Sequence, residues 1–416
     1  MKVLSAAALL LLFTAVSLFA LRPLPALWTT HLVGNYVGDQ DMFAWNIWWT
    51  HLALTSPDYG LFHCPLIFHP HGFDLLLHSH ALVYSLLGAL LHIAGATIPA
   101  AYNTVVLLGF VLTGTGTALF TREIGARWPG AIAAGLILLL WPHHTESIFH
   151  LNYNAPLWIP WTVWAAARAA RTGRAPWALL AGLLLGSSLW HDYYVAAFTG
   201  LVWLFFVLWA AQWHRGQRVT PRRWRHLCLL TLAVALAADL WLLAPMLRIR
   251  TQGPFPLLAG HDLFVADLLA LLLPSTDHAL WWRPLQLWYA DMQIAEPHQS
   301  LGLATLTLAA LALVGHGRWP GARGWALAAL AFLVLSFGER VHFAGSGDLR
   351  PGPREFSLWM PYTLLKHLPP FDALRAPARF LYPAMFCLAV LAAFGADRLL
   401  APVGRPSRRA AAATLL

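Results

Sequence analysis

Apolar stretches recur along almost the whole chain, and short arginine clusters separate them. That alternation constrains the fold more than any single motif, because repeated apolar runs of this length need a bilayer or one another. Candidate spans are 3–21, 101–121, 129–142, 154–168, 175–189, 193–212, 226–247, 299–315, 323–338 and 380–398. Several fall short of the roughly 20 residues of an ideal span. At 59% hydrophobic residues, 11% charged residues and 22 Trp, the chain is not an ordinary soluble domain. The expected fold class is all-α, a polytopic transmembrane helical bundle of about ten spans. One domain covers residues 1–400, and 401–416 form a short basic cytoplasmic tail. The first span is read as uncleaved, since Leu21-Arg22-Pro23-Leu24-Pro25 makes a poor cleavage site.

Charge sets the expected topology. Arg122/Arg127, Arg168/Arg171/Arg174, Arg215 through Arg225, Arg318/Arg323 and Arg398 through Arg409 all belong on the cytoplasmic side. They share that side only if residues 81–95 do not cross, so this segment is read as a juxtamembrane or re-entrant helix in a long outer loop, 31–99. The net charge of +9 therefore orients helices and does not imply nucleic-acid binding. Cys64, Cys228 and Cys387 supply neither a disulfide framework nor a CxxC metal site.

The outer loops collect the polar chemistry. Gly38-Asp39-Gln40-Asp41 puts two carboxylates beyond the first span, where an acid serves as a general base, holds a divalent metal or caps the helix that follows. Asp41, Trp45, Trp48, Trp49 and Leu52 fall on one helical face, a pattern that fits a helix lying in the membrane interface. The stretch from Phe62 to Asp74 reads as a tightly turned loop. Further on, His143, Glu146 and His150 lie at helical spacing, which suits a metal or a phosphate as well as a plain amphipathic loop. Asn152 follows them, and His191-Asp192-Tyr193-Tyr194 closes the next outer turn. His150, Asn152, His191, Asp192 and Tyr193 form the candidate substrate-binding set, although Tyr and Trp also mark the interface for its own sake.

The last outer loop breaks the charge rule with Arg340, Arg350, Arg354, Lys366, Arg375 and Arg379. Cations there need an anion, and a phosphate at the membrane surface supplies one; snorkelling and local ion pairs are the plainer account. Arg375, Arg379 and Lys366 are the preferred phosphate ligands, because Arg375 and Arg379 flank Pro377 where the final helix begins. No P-loop, HExxH or GxSxG motif occurs.

Taken in order, Gly38-Asp39 with Trp45-Asn46-Ile47-Trp48-Trp49, Phe68-His69-Pro70-His71-Gly72, Ala101-Tyr102-Asn103, His150-Leu151-Asn152 and Leu374-Arg375-Ala376-Pro377-Ala378-Arg379-Phe380 resemble an uncharacterised group of bacterial GT-C-type membrane glycosyltransferases. The resemblance implies inverting transfer of a sugar from a polyprenyl-phosphate carrier to an envelope acceptor on the outer face of the inner membrane. It implies that Asp39 or Asp41 acts as base and that cations neutralise the departing lipid phosphate. Glu146, with His143, would correspond loosely to an acid that some members use for a divalent metal (Mg or Mn), the one cofactor expected. The chain departs from many members in having no soluble outer domain after the last span. Two other readings stand beside it. One is a transporter or flippase for a polyprenyl-linked or anionic substrate, and the other a non-catalytic membrane assembly protein.

Overall fold

The computed structural model describes residues 6–34, 38–153, 156–209, 219–251, 263–276, 278, 280–292, 294, 296, 298–314, 319, 321–347, 358–368 and 371–400. The expected tail and Arg215, Arg318, Arg350 and Arg354 lie outside them. Helix α1 (Ala6–Ala20) precedes α2 (Gln40–Thr55) and α3 (Leu82–Ile93). Next come α4 (Ile98–Glu123), α5 (Trp128–Leu139), the short α6 (Pro142–Glu146), α7 (Trp158–Thr172), α8 (Ala175–His191) and α9 (Tyr193–Leu208). The second half holds α10 (Pro221–Thr251), α11 (Leu268–Leu272), α12 (Trp282–Asp291), α13 (Leu303–Leu313), α14 (Ala322–Ser336), α15 (Tyr362–Leu365) and α16 (Leu381–Leu399).

Each expected span coincides with a helix, and this is a helical membrane protein. Length narrows the expectation of about ten crossings. Among the described residues, Ile98–Glu123, Pro221–Ile249 and Pro377–Leu399 are long and apolar enough to cross a bilayer. The other expected spans form shorter helices, some only 11 or 12 residues long.

Helix α16 is the hub. Leu381 through Ala393 are all buried, and the helix packs against α5, α13 and α14. Glycine permits two of these approaches. A Cβ on Gly395 would sit 1.8 Å from the Leu308 carbonyl oxygen of α13, and one on Gly130 of α5 would sit 2.1 Å from the Ala393 carbonyl oxygen. Backbones this close gain dispersion contact that larger side chains would prevent.

Helix α2 carries the tryptophan run. Its tryptophans pack under the loop at 59–75, where Trp49 is fully buried with Cys64 and Leu75 while Trp45 and Trp48 are partly buried beside them. Trp49 donates its indole N–H to the Leu61 carbonyl at 3.1 Å, and its ring stacks on Trp45 at 5.9 Å. An indole with a protein acceptor inside a packed cluster has no need of the lipid interface. The covering loop is the tight turn read from Phe62 to Asp74, built on an antiparallel pair of β1 (His63–Cys64) and β2 (Phe73–Asp74). Helix α3 packs on α2, α4 and α8.

Charges sort to the two ends of the bundle. At one end Glu123 takes Arg168 at 3.3 Å and also Arg171, while Asp397 of α16 accepts the backbone N–H groups of Arg127 and Gly130. Arg223 reaches the Gly173 carbonyl at 3.0 Å at this same end. The histidine-rich loops gather at the other end, around the residues that precede α16.

The glycine contacts yield a stability test. Gly395→Ala forces α13 away from α16 and should cost about 1–3 kcal/mol, the usual range for overpacking. Thermal unfolding in detergent reads this as a lower midpoint, and an unchanged midpoint would contradict the packing.

Candidate functional site

The site starts at a contact that only glycine allows. A Cβ on Gly38 would lie 2.2 Å from Gln40 Oε1 and 2.7 Å from Phe149 Cβ. The 38–41 loop therefore sits directly on the 149–150 turn, and Asp39 arrives beside His150. Asp39 stands at the N-cap of α2 but makes no side-chain capping bond. Its Oδ2 lies 2.9 Å from His150 Nδ1 instead, and the carboxylate remains 52% exposed. That hydrogen bond holds Asp39 below the usual carboxylate range against the opposing effect of burial, and the charges of His150, Arg375 and Arg379 add to it. Asp41 is exposed in the first turn of α2.

Arg379 comes from the far end of the sequence. Pro377 opens a 3-10 turn, Pro377–Phe380, that leads into α16 and buries the Arg379 side chain to 5% exposure. Nη2 pairs with Glu296 Oε1 at 2.9 Å, and the guanidinium lies 3.7 Å from the centre of the Tyr153 ring. Nε and Nη1 are buried with no hydrogen-bond partner among the described residues. The Tyr153 ring also meets His150 at 5.3 Å, so one ring joins the two pairs. Burial pushes the Tyr153 phenol up to about 12, which keeps it neutral.

The other two expected phosphate ligands differ from Arg379. Arg375 is exposed and approaches the face of Phe264 at 5.7 Å, and the neighbouring Ala376 N–H donates to the Tyr194 hydroxyl at 2.9 Å. Lys366 pairs with Glu339 at 2.7 Å. Of the three, Arg375 is the cation that faces solvent while its charge reaches Asp39.

The expected substrate-binding set divides. His150 lies in the site. Asn152 donates to Asp192 Oδ2 at 2.9 Å, and Asp192 caps α9 by accepting the Tyr194 N–H at 2.8 Å. That buried pair braces the site from behind. Burial raises the Asp192 carboxyl to about 6, and the Asn152 hydrogen bond opposes the shift. His191 is buried between Trp158 at 4.4 Å and Tyr84 at 4.6 Å, and Tyr193 spends its hydroxyl on the Leu76 carbonyl at 2.8 Å. Both serve packing.

His143 and Glu146 also part company. His143 is buried, with Nε2 3.9 Å from Glu296 and its ring 5.2 Å from Tyr382; burial holds it well below the usual imidazole range. Glu146 lines a cavity with Pro142 and Thr145 of the same helix. Among the described residues, no group of three or more His, Cys, Asp or Glu side chains is placed to hold a metal ion.

A family model described as a domain of unknown function (DUF6311) matches residues 5–416. The chain belongs to that family. No curated protein matches it. Among solved structures, the Archaeoglobus fulgidus oligosaccharyltransferase in its apo form is similar at 14% identity and a TM-score of 0.49. The match covers 100% of this chain and 52% of that one, so the DUF6311 chain spans about half the length of that protein.

Sequence reasoning missed Glu296, Tyr153 and Tyr382. Glu296 sits between α12 and α13 with no periodic pattern to single it out. Tyr382 lies three residues beyond Arg379, a spacing that does signal one helical face.

Two experiments follow. In this DUF6311 member, Gly38→Ala should push the 38–41 loop off Phe149, and loss of the Asp39–His150 hydrogen bond would appear as a rise in the Asp39 pKa by carboxyl NMR. Asp192 gives a pH signature. Its folded pKa, about 6, exceeds the reference 3.8, so the folded state binds the proton more tightly. The stabilisation is complete below the reference value and is lost as pH rises through the folded one. Asp192→Asn should flatten the dependence of unfolding midpoint on pH across that interval, and an unaltered slope would rule out this protonation.

Proposed function

We propose that this protein is a GT-C-type membrane glycosyltransferase. It moves a sugar from a polyprenyl-phosphate carrier to an envelope acceptor on the outer face of the inner membrane, with about ten helices embedded. One observation carries the reading. An acid from the first outer loop, an imidazole from the second and guanidinium groups from the last meet at one end of the bundle. The opposite end carries the arginine-rich loops that mark a cytoplasmic face.

The chemistry follows from the parts. An acceptor hydroxyl delivers its proton to the Asp39–His150 pair as its oxygen bonds to the anomeric carbon. The bond from that carbon to the phosphate oxygen breaks on the opposite side, and its electrons leave with the prenyl phosphate. Attack opposite the leaving group inverts the anomeric centre. A carboxylate held in its charged form by a hydrogen-bonded imidazole is preorganised to accept a proton. Arg375 meets the phosphate as negative charge develops on it. Arg379 adds a fixed positive field, while Glu296 holds it in place. Lys366 stays with Glu339 and contributes less.

A flippase reading draws on Asp239, a buried acid on α10 whose Oδ1 has no hydrogen-bond partner among the described residues. Intramembrane acids often mark transport paths. The remaining polar groups crowd one end of the bundle, which suits chemistry at a surface better than passage through it.

Purified protein in detergent, supplied with a short-chain prenyl-phosphate sugar and a water-soluble acceptor, tests the proposal. Product formed without a membrane rules out obligatory transport. Asp39→Asn should lower kcat about 10²–10⁴-fold, as expected for loss of a general base. Arg375→Ala should weaken donor use, whereas Lys366→Ala should have a smaller effect. Wild-type turnover from both Asp39→Asn and His150→Ala would end the proposal.

A further inference from the structure

Helix α6 has two faces in use. His143 turns toward Glu296, Tyr382 and the Arg379 cluster. Glu146 instead lines a cavity of about 400 Å³ shared with Ser275, His278 and Ser300. That volume lies within the range of small-molecule sites. The wall is braced, because Trp141, just before α6, donates its indole N–H to the Ser300 carbonyl at 2.9 Å, and Ser275 lies 2.8 Å from His298 Nδ1.

The composition of the wall selects the ligand. Glu146 is a carboxylate, the serines offer hydroxyls and His278 an imidazole, and no Lys or Arg lines the cavity among the described residues. Such a wall repels a phosphate and accepts hydrogen bonds from hydroxyl groups. Leu272 and Leu303, also in the lining, are 58% and 72% exposed, so the mouth is apolar. Leu303 begins α13, which puts the mouth at the rim of the bundle rather than within it.

We propose that this cavity is the acceptor site. It takes an uncharged, hydroxyl-rich head group, a carbohydrate or polyol, carried on a short apolar segment that rests on Leu272 and Leu303. The inference rests on the glycosyltransferase reading for the word acceptor, but the binding it predicts does not. In that arrangement the arginines hold the phosphate and Glu146 holds the hydroxyl-bearing ligand.

Binding without turnover tests this. Octyl β-glucoside serves as the uncharged amphiphile and farnesyl phosphate as the anionic one, each titrated into the full chain in nanodiscs by saturation-transfer NMR. Glu146→Gln should weaken octyl glucoside by about tenfold, the size of a lost charge-assisted hydrogen bond. Leu303→Trp should narrow the mouth and weaken it as well, while both variants keep wild-type farnesyl phosphate affinity. That retained affinity shows that the variants are folded. Octyl glucoside binding untouched by both changes would overturn the acceptor site, as would farnesyl phosphate affinity falling in step with it. A wrong catalytic reading shows separately, as farnesyl phosphate binding insensitive to Arg375→Ala.

Discussion

A buried guanidinium at the head of the central helix is the constraint around which this end of the molecule is built. Moving Arg379 out of water costs several kcal/mol unless charge and hydrogen bonds replace its hydration. Glu296 supplies the charge at 2.9 Å, and the Tyr153 ring supplies a π face at 3.7 Å. Each partner comes from a different loop, so the pair fixes the positions of both loops. Tyr153 in turn meets His150, and His150 holds Asp39. The Asp39 carboxylate is thus tied, through one ring, to the most buried cation of the site.

The bundle supplies the rigidity this arrangement needs. Helix α16 is buried along most of its length and carries Arg379 just before its start and Asp397 near its end. Close backbone contacts at Gly130 and Gly395 set its distance from α5 and α13. Asp397 then anchors the opposite end by accepting the N–H groups that begin α5. A cluster built on loops stays in register when the helix that presents it cannot slide.

Much of the architecture was legible from residue order. Each apolar run of the sequence falls on a helix, and several of the arginines between them gather at one end of the bundle. The sequence also singled out Asp39, His150 and Arg379, and the fold brings these three together through Tyr153. Other residues take contacts that residue order does not show. Tyr193 and His191 have the composition of a sugar platform, yet one hydroxyl tethers Leu76 and one ring fills a slot between Trp158 and Tyr84. Of the α2 tryptophans, Trp49 is buried beneath a loop and Trp45 and Trp48 are half-buried beside it.

The sequence by itself determined the helical class, the helix positions and the separation of basic from histidine-rich loops. These depend on hydropathy, proline and charge, which act locally along the chain. Only the tertiary structure decided which cation is paired and which is open. Arg375, Arg379 and Lys366 are equivalent by charge, and the fold distinguishes them by placing Glu296 and Glu339 against two of the three. It likewise decided that Asp39 bonds His150 rather than the end of its own helix, because that choice depends on Gly38 meeting Phe149 across more than a hundred residues of chain.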